Sequence, residues 1–529
     1  MNLYSRRVAR SRPAPGQVPS DRNHPLAMAV YRSMISAGPV RGWAGPLLIT
    51  ALGAWLRFAH LSTPQAVVFD ETFYAPQAFG ILHYGAEHAV SLFGSQVPSG
   101  KATDIFVNGG VFAAHPPFGK VQIALGEWLF GLTPFGWRVA AAVAGSATIL
   151  LLARITRRMT GSDLLGCVAG LLLALDGLEL VMSRTAMLDI FVMFWVLAGF
   201  GCLVIDRDQA RDRLTARSPG SPPEGTGPRL GIRWWRIAAG CCLGLAAGTK
   251  WNGLYFLVLF VPLCFVWDMA ARRDAGFRRW VRGALVTDGA VLVPSLWLTA
   301  AVAYLATWSG WFASTIGWDR NYAAAHGVHT PVISALYSLF QYHREMISYN
   351  TGLTAPKTFA SQPWTWLTLK QPVRFYYAAP QDAESGCTHV GGCIQNVLAV
   401  GTPAIWWTCL AALPALASWG LLRRDWRAGA ALYGVAAGWL PWFAFHARTQ
   451  YFYYAVSFDP FLCLVLALCI GLIIGPATGS RRRRTVGAAI ATVYLLAVAV
   501  NFGYLYPVLT GTPISDSAWL ARMWLSSWV

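Results

Sequence analysis

The sequence predicts an all-α polytopic membrane protein, and three observations support this fold class. Hydrophobic residues make up 55% of the 529-residue chain, charged residues make up only 12%, and the mean hydropathy is +0.43. A soluble globule of this size needs a larger charged fraction to cover its surface. Apolar runs of about 17–25 residues, the length that crosses the hydrocarbon layer of a bilayer, also recur along the chain with short basic clusters between them.

Eleven apolar runs are predicted to cross the membrane. They are, in chain order, 44–60, 138–155, 163–182, 188–205, 236–250, 252–269, 284–306, 401–421, 428–445, 452–474 and 485–506. One further apolar stretch, Gly119–Leu132, is too short to cross and contains Glu127. We therefore predict that this stretch forms an interfacial helix on the outer surface.

The distribution of basic residues predicts the orientation of the chain. With the N-terminus inside, 29 of the 42 Lys and Arg residues fall in inside segments, and the last of these is the cluster Arg481–Arg484. Basic residues concentrate in the cytoplasmic loops of membrane proteins. The sequence therefore predicts a multi-pass protein of the cell membrane with a cytoplasmic N-terminus. The same clustering accounts for the net charge of +18 without a nucleic-acid partner.

This topology divides the chain into four parts. They are a disordered cytoplasmic tail, 1–43, a transmembrane module, 44–307, that includes a first outer loop, 61–137, a second outer loop, 308–400, and a four-helix transmembrane region, 401–529. The longest inside loop contains Ser218–Pro223, a Ser/Pro/Gly-rich stretch that is typical of a flexible linker. Chemistry is therefore expected on the outer face, where the two long loops lie.

The cysteines divide into two groups. Eight lie in or beside apolar runs, where a thiol behaves as a small hydrophobe: Cys167, Cys202, Cys241, Cys242, Cys264, Cys409, Cys463 and Cys469. The other two, Cys387 and Cys393, lie in the second outer loop, where an oxidising compartment would join them. A structural disulfide is therefore favoured over a zinc site with His389 between them, and no metal site is predicted.

The best candidates for chemistry are two adjacent carboxylates, Asp70 and Glu71, just beyond the first apolar run. Other ionisable residues lie at the outer ends of predicted spans: Arg57, Arg138, Arg184, Asp189, Lys250 and Arg448. A charged residue at such a position is a functional candidate, although a single one could be a snorkelling side chain. Anchoring alone should populate both leaflets, whereas these residues collect on one side.

A carboxylate that faces a group of cations suits glycosyl transfer from a lipid phosphate. Arg and Lys bind phosphate oxygens through charge-assisted hydrogen bonds. The acceptor hydroxyl needs a base to remove its proton, and the leaving phosphate needs its developing charge stabilised. We therefore predict that Asp70 is the base and that the cations stabilise the phosphate.

Several local motifs together resemble one known family. The motifs are Asp70-Glu71, His115-Pro116-Pro117-Phe118-Gly119-Lys120, Gly136-Trp137-Arg138, Ser183-Arg184 with Met187-Leu188-Asp189, and Gln362-Pro363-Trp364-Thr365-Trp366. Their combination resembles the protein O-mannosyltransferases in their actinobacterial form, and the likeness extends over about 44–510. The resemblance implies a GT-C glycosyltransferase architecture, in which 44–307 would be the catalytic module.

The resemblance also implies a reaction and its substrates. The expected donor is polyprenyl phosphate mannose, and the expected acceptors are Ser and Thr of secreted or membrane proteins on the extracytoplasmic face, with inversion at the anomeric carbon. The family's pattern implies Asp70 as general base and Glu71 as a residue that orients the substrates. No cofactor is firmly implied, and a role for a divalent cation stays open.

The resemblance assigns two further groups of residues. The expected ligands of the donor phosphate and lipid, or in part ion-pair partners, are Arg57, Arg138, Arg184, Lys250, Arg448, Tyr451, Tyr453 and Tyr454. The expected motif-supporting residues are His115, Pro116, Lys120, Asp189 and Trp364. The loop tryptophans, Trp364 among them, suit either an interfacial belt or stacking on a sugar or peptide.

Two departures from the family pattern leave alternatives open. The second outer loop is too short to contain the β-trefoil domain of eukaryotic members, so acceptor choice would come from the loop itself or from the Sec translocon. Trp366-Leu367 also stands where the family usually has Trp-Pro. The alternative functions are a related lipid-linked-sugar transferase that modifies a glycolipid, and a lipid-sugar transporter. A transporter would place ionisable residues near the bilayer midplane and open to both faces.

Overall fold

The computed structural model describes residues 41–91, 105–216, 225–355, 357–381, 387 and 392–529. Two predictions concern other residues. Most of the predicted cytoplasmic tail and the whole predicted linker Ser218–Pro223 lie outside the described part of the chain.

Long apolar helices dominate the fold. Among the described residues, seven helices are long and apolar enough to span a membrane: Pro134–Thr160, Asp189–Ala216, Gly253–Asp274, Trp280–Thr307, Pro403–Arg423, Phe452–Ile474 and Arg481–Thr510. A bent pair, Asp163–Ala174 and Gly177–Ser183, makes an eighth candidate, with 66° between its halves. The predicted polytopic helical fold class is confirmed.

Shorter helices occupy the other predicted spans. Helices at Arg41–Phe58, Trp234–Thr249 and Trp426–Trp439 lie at three predicted runs, and the bent pair lies at 163–182. Every one of the eleven predicted runs therefore coincides with helix. The number of membrane crossings stays a prediction, because length and composition alone qualify only seven or eight of these helices.

The two segments that the sequence predicts to lie outside contain structure of their own. Their helices are Glu71–Tyr84, Phe118–Phe130, Ser309–Ala313, Tyr322–Ala325, Pro331–Gly352 and the 3₁₀ helix Pro363–Thr368. Two antiparallel hairpins pair His88–Val90 with Phe106–Gly110 and Val373–Gln381 with Cys393–Ala399. The sequence did not predict these hairpins. The remaining short elements are Pro441–Ala444, Phe452–Phe458, Asp516–Leu520 and Ser526–Trp528.

The predicted interfacial stretch forms a helix, Phe118–Phe130. One face, with Lys120, Ile123 and Glu127, is buried against the protein. The opposite face exposes apolar side chains, among them Trp128 at 71%. This amphipathic distribution is what an interfacial helix requires.

Asp176 stabilises the bend between the helices Asp163–Ala174 and Gly177–Ser183. Its carboxylate caps the second half by accepting hydrogen bonds from the main-chain N–H groups of Leu178 and Glu179. The same carboxylate accepts hydrogen bonds from the Thr402 N–H and the Trp406 indole. Asp176 therefore fixes the break between the two halves and ties it to the start of helix Pro403–Arg423.

The core lies where the helices Asp189–Ala216 and Phe452–Ile474 meet their neighbours. Both are mostly buried, whereas Trp280–Thr307, Pro403–Arg423 and Arg481–Thr510 expose most of their apolar windows. One continuous apolar cluster extends from Leu56 to Trp528. The exposed helices therefore form the apolar periphery, and the buried pair forms the centre of the fold.

The two cysteines of the second outer loop, Cys387 and Cys393, are joined by a disulfide, with their Cα atoms 5.7 Å apart. The eight other cysteines are free.

We therefore predict that denatured, unreduced protein takes up eight equivalents of a thiol-alkylating reagent and takes up ten after reduction. Intact mass measures both numbers. Uptake of ten without reduction would contradict the disulfide, and a Cys387→Ser, Cys393→Ser variant should take up eight in both states.

Candidate active site

Asp70 lies at the start of helix Glu71–Tyr84, at the end of a turn with unusual backbone geometry. Phe69, the residue before it, has φ of +49°, which is uncommon for a residue other than glycine. The Phe69 ring stacks on Phe375 of the second outer hairpin at 4.5 Å and meets the edge of Tyr453 at 5.7 Å. Contacts with two distant segments therefore hold the turn in a strained conformation, which is common beside functional groups.

Glu71 is completely buried and forms a two-pronged ion pair with Arg138. The Arg138 Nε and Nη2 atoms each lie 2.8 Å from one Glu71 carboxylate oxygen, and neither side chain is exposed. The Glu71 carboxylate also accepts hydrogen bonds from the N–H groups of Val68 and Ala186. Its oxygens are therefore occupied within the protein.

Two arginines bind the main chain that leads from the first helix to Asp70. Arg184 donates to the carbonyl oxygens of Leu56, Arg57, Ala59 and His60, at 2.7–3.3 Å. Arg138 donates to the carbonyl oxygens of Leu61, Pro64 and Ala66, at 2.7–3.3 Å. We call Arg138, Arg184 and Glu71 the arginine clamp. It fixes residues 56–71 and hence the position of Asp70.

Arg57 lies deeper and pairs with Glu179, and both side chains are completely buried. Arg57 also donates to the carbonyl oxygens of Gly53, Ala174 and Leu173. The Glu179 carboxylate accepts a second hydrogen bond from the Ser183 hydroxyl at 2.9 Å. This ion pair connects the first helix to the second half of the bent helix.

These contacts change the interpretation of three predicted phosphate ligands and of Glu71. Arg57, Arg138 and Arg184 direct their guanidinium groups at protein carboxylates and carbonyls. Arg57 and Arg138 are therefore ion-pair partners, which is the second of the two roles predicted for them. Arg184 instead caps the C-terminal end of the first helix, Arg41–Phe58. Glu71 likewise contacts Arg138 and two main-chain N–H groups. All four side chains therefore bind the protein segments around Asp70.

Lys250 is the predicted cation that does lie beside Asp70. Its Nζ atom is 3.0 and 2.9 Å from the two carboxylate oxygens of the fully buried Asp189. It also lies 4.4 Å from the centre of the Tyr454 ring and 5.6 Å from that of Tyr453. Ion pairing and cation–π attraction thus hold the ammonium group in a fixed place.

Asp70 has a different environment from the carboxylates around it. It is partly buried, and the Tyr74 hydroxyl lies 3.4 Å from its Oδ2 atom. Burial raises the pKa of Asp70 to about 6, and Asp189 adds to this shift, whereas Lys250 and the Tyr74 hydrogen bond oppose it. Among the described residues Asp70 has no ion pair, although Glu71 and Asp189 each have one.

The histidine motif lies against the same cluster. Burial lowers the pKa of His115 well below its usual value, and the charges of Lys250, Lys120 and Arg448 add to the effect. The His115 ring is 6.4 Å from that of Tyr74, the residue whose hydroxyl lies 3.4 Å from Asp70. Lys120 donates to Glu87 at 2.5 Å and to the His115 carbonyl at 3.0 Å, and it supports the loop that contains the buried Pro116.

The tyrosines cluster at the site, whereas Trp364 lies away from it. The Tyr451 ring stacks on Tyr453 at 5.6 Å, and Tyr453 meets the edge of Tyr454 at 4.8 Å. Trp364 is 55% exposed, and its ring is 6.1 Å from Phe443. Arg448 connects the tyrosines to the second outer segment, because it lies 5.8 Å from the Tyr454 ring and donates to the Asn350 side chain.

Sequence reasoning missed four residues of this region. Glu179 lies inside a predicted span, so the rule that flags intramembrane charges could have found it. Tyr74 is four residues after Asp70 on one helix, which is the spacing of neighbouring side chains. Glu87 and Asn350 gave no local signal. No group of three or more His, Cys, Asp and Glu residues suited to a metal ion occurs in the part of the chain that the structure describes.

Comparison with solved structures identifies the fold. The fold is similar to the S. cerevisiae protein O-mannosyltransferase Pmt1-Pmt2 complex bound to the sugar donor, with a TM-score of 0.70 and 14% identity. The match covers 96% of this chain and 95% of that chain. At this identity the likeness concerns the fold, which is that of the GT-C membrane glycosyltransferases.

Comparison with sequence families identifies the family. The family described as dolichyl-phosphate-mannose-protein mannosyltransferase matches residues 47–309, and the C-terminal four TMM region of protein-O-mannosyltransferase matches residues 335–528. The chain belongs to the protein O-mannosyltransferase family, as its motifs predicted.

Relatives named polyprenol-phosphate-mannose–protein mannosyltransferase resemble the chain over nearly its full length. The protein from Mycolicibacterium smegmatis is 39% identical over 94% of this chain and 97% of its own. The protein from Mycobacterium tuberculosis is 38% identical over 98% of each chain. The protein from Corynebacterium glutamicum is 33% identical over 92% of this chain and 93% of its own.

Breaking the buried ion pair between Glu71 and Arg138 in the arginine clamp should cause a large loss of stability. In Glu71→Gln, Arg138 would keep a buried charge without a carboxylate, so we expect the free energy of unfolding to fall by about 3–5 kcal/mol. Chemical or thermal unfolding in detergent measures the change.

Arg158→Gln is the matched control, because it breaks an ion pair with Asp208 in which Arg158 is 42% exposed. An exposed pair contributes about 1 kcal/mol or less. Equal losses in the two variants would contradict the structural role given to the clamp.

Proposed function

We propose that the protein transfers mannose from polyprenyl phosphate mannose to Ser and Thr hydroxyls of proteins on the extracytoplasmic face of the cell membrane. The names of its relatives support the donor and a protein acceptor. The placement of Asp70, Lys250 and the tyrosine cluster supports the chemistry. The orientation rests on the distribution of basic residues along the sequence.

The proposed mechanism is a single displacement with inversion. The Asp70 carboxylate takes the proton of the acceptor hydroxyl while the hydroxyl oxygen forms a bond to the anomeric carbon of mannose. The bond from that carbon to the phosphate oxygen breaks, and polyprenyl phosphate leaves with the bonding electrons. The products are the mannosylated protein, polyprenyl phosphate and a protonated Asp70, which returns its proton to water.

The observation that best supports this proposal is the difference in environment between Asp70 and the two neighbouring carboxylates, Glu71 and Asp189. Glu71 and Asp189 are each paired with a buried cation, so their oxygens are already occupied within the protein. Asp70 has a raised pKa of about 6 and no ion pair among the described residues. A base acts best when its pKa lies near the working pH, so Asp70 suits proton removal better than either neighbour.

The leaving phosphate is assigned to the Lys250 side of the site. Lys250 is fixed by Asp189 and by the Tyr454 ring, so its charge requires little reorganisation to meet a phosphate oxygen. Tyr453 and Tyr451 border the same space and offer hydroxyl donors. Arg448, predicted as a phosphate ligand, uses its donors on Asn350 and Thr449, and we assign it to the border of the site.

The acceptor is expected to reach the site as an unfolded segment of a protein that emerges from the membrane. A Ser or Thr hydroxyl has to approach Asp70 closely, and this is easiest for an extended chain. We therefore propose that the protein works beside the Sec translocon. Membrane lipid surrounds the exposed helices Trp280–Thr307 and Arg481–Thr510.

Removal of the proposed base should nearly abolish transfer. General-base catalysis contributes about 10²–10⁴-fold, so Asp70→Asn should lower the turnover number by a factor in that range. The assay supplies membranes with radiolabelled polyprenyl phosphate mannose and a Thr-rich peptide. Asp516→Asn, which changes an exposed aspartate in a short C-terminal helix, is the control and should keep wild-type activity. Normal turnover in Asp70→Asn would exclude Asp70 as the base.

The raised pKa of Asp70 predicts an acid limb in the pH profile. The carboxylate is ionised above its pKa of about 6, and only the ionised form can accept a proton. We therefore expect kcat/KM to be constant near neutral pH and to fall about tenfold per pH unit below 6. A profile that stays flat down to pH 5 would contradict the assignment.

Loss of the fixed ammonium should impair use of the donor. Lys250→Gln removes the charge next to the proposed phosphate position, so we expect kcat/KM for the lipid donor to fall by roughly 10²-fold. Lys357→Gln changes an exposed lysine of the second outer segment and should have no such effect. A Lys250→Gln variant that is correctly folded and uses the donor normally would remove Lys250 from the phosphate site.

A further inference from the structure

An apolar groove of about 700 Å³ lies between the helices Pro403–Arg423 and Arg481–Thr510. Both helices expose most of their apolar residues, and the volume is within the usual range for ligand sites. The lining of the groove includes Ala404, Trp407, Ala497, Val500, Tyr504 and Trp524. These side chains suit a hydrocarbon chain and offer little to a polar ligand.

Hydrogen bonds join the walls of this groove and fix its width. The Asn501 Oδ1 atom accepts from the Ala404 N–H at 2.9 Å, and the Tyr494 hydroxyl donates to the Ala404 carbonyl oxygen at 3.1 Å. The Trp407 indole donates to the carbonyl oxygen of Thr368 at 3.1 Å. The groove is therefore a built feature of the fold, because side chains of one helix hold the first turn of the other.

The groove begins at one boundary of the membrane. The arginine cluster at the start of helix Arg481–Thr510 lies at the opposite boundary. Tyr504 lies 20 residues after Arg484 on this helix. At about 1.5 Å per residue this distance is about 30 Å, the thickness of the hydrocarbon layer. Val500 and Ala497 lie about 6 and 10 Å deeper than Tyr504, so the groove extends from the headgroup level into the hydrocarbon layer.

Aromatic rings and one arginine lie at the headgroup end of the groove. The Trp524 ring is 6.0 Å from that of Trp407 and 6.2 Å from that of Tyr504. The Arg522 guanidinium lies 4.5 Å from the centre of the Tyr504 ring. Trp and Tyr are common where hydrocarbon meets headgroups, and arginine binds phosphate oxygens. This end of the groove therefore has the composition of a headgroup site.

Arg522 is held in place and retains hydrogen-bond donors for a ligand. Its Nε atom donates to the Tyr504 carbonyl oxygen at 2.7 Å, and its Nη1 atom donates to the Ala518 carbonyl oxygen at 2.6 Å. Its side chain is partly exposed. Among the described residues its Nη2 atom has no hydrogen-bond acceptor and its guanidinium has no ion pair. A fixed cation without a carboxylate complements a phosphate group.

We propose that this groove binds a phospholipid of the surrounding bilayer. One acyl chain lies beside Val500 and Ala497, and the phosphate accepts hydrogen bonds from Arg522. The site is separate from the proposed catalytic centre, because its lining includes neither Asp70 nor Lys250. The inference therefore goes beyond the proposed function and does not depend on it.

Two other occupants fit these features less well. A second copy of the chain could cover the apolar lining, but it would also have to bring an anion to Arg522 at the membrane boundary. Polyprenyl phosphate has a phosphate and a hydrocarbon chain, but we assign its phosphate to Lys250. A bilayer phospholipid brings both parts at the depths where the groove has their partners.

The test measures lipid binding to the purified full-length chain by native mass spectrometry. Phosphatidylglycerol is compared with diacylglycerol, which has the same acyl chains but lacks the phosphate. A charge-assisted hydrogen bond is worth roughly tenfold in affinity or more. We therefore expect wild-type protein to bind phosphatidylglycerol roughly tenfold more tightly than diacylglycerol.

Variants separate the headgroup from the chain. Arg522→Gln should lower the affinity for phosphatidylglycerol roughly tenfold and leave that for diacylglycerol unchanged. Arg522→Lys keeps the charge and should keep most of the preference, which a misfolded variant would not do. Ala497→Trp fills the groove and should weaken both lipids to the same extent. Arg344→Gln, which changes an exposed arginine of the second outer segment, is the matched control and should bind as wild type does.

Three results would overturn the inference. The first is an Arg522→Gln variant that prefers phosphatidylglycerol as strongly as wild type does. The second is displacement of phosphatidylglycerol by an equimolar amount of polyprenyl phosphate, which would assign the groove to the isoprenoid lipid. The third is an Ala497→Trp variant that changes from dimer to monomer with unchanged lipid binding, which would make the groove an interface between copies.

Discussion

The buried ion pair between Glu71 and Arg138 holds the part of the chain on which the site depends. Its two 2.8 Å contacts join the start of helix Glu71–Tyr84 to helix Pro134–Thr160. A buried charge is stable only when it is paired and its remaining hydrogen bonds are satisfied. Here Arg138 also binds three carbonyl oxygens, and Glu71 also binds two N–H groups. Asp70, one residue earlier, is therefore held in place although it forms no ion pair with any residue that the structure describes.

The positions of the helices could be predicted from the sequence because apolar runs report burial in lipid or protein directly. The number of membrane crossings could not be predicted in the same way, because some helices, such as the 14-residue Trp426–Trp439, are shorter than a full span. The hairpin Val373–Gln381 with Cys393–Ala399 depends on pairing between segments of a loop, and hydropathy carries no information on such pairing. Lys250 and Asp70 could be placed at one site because both lie at the outer ends of predicted spans.

The roles of the arginines could not be predicted, because the sequence shows a charge but not its partner. Arg57 pairs with Glu179, which is 122 residues away. The four hydrogen-bond acceptors of Arg184 are main-chain carbonyl oxygens, and a carbonyl gives no signal in the sequence because every residue has one. The structure thereby separates cations that look alike in the sequence. Three arginines fix the scaffold, and Lys250 remains as the cation beside the proposed base.

The central claim is that Asp70 receives the proton of the acceptor hydroxyl. The most direct measurement is the structure of wild-type protein with an acceptor peptide and a non-transferable phosphonate analogue of the donor. We expect a distance of about 2.6–3.2 Å between an Asp70 carboxylate oxygen and the acceptor hydroxyl oxygen, with Glu71 still bound to Arg138. A hydroxyl that instead contacts Glu71 or Asp189, with Asp70 beyond hydrogen-bonding distance, would contradict it.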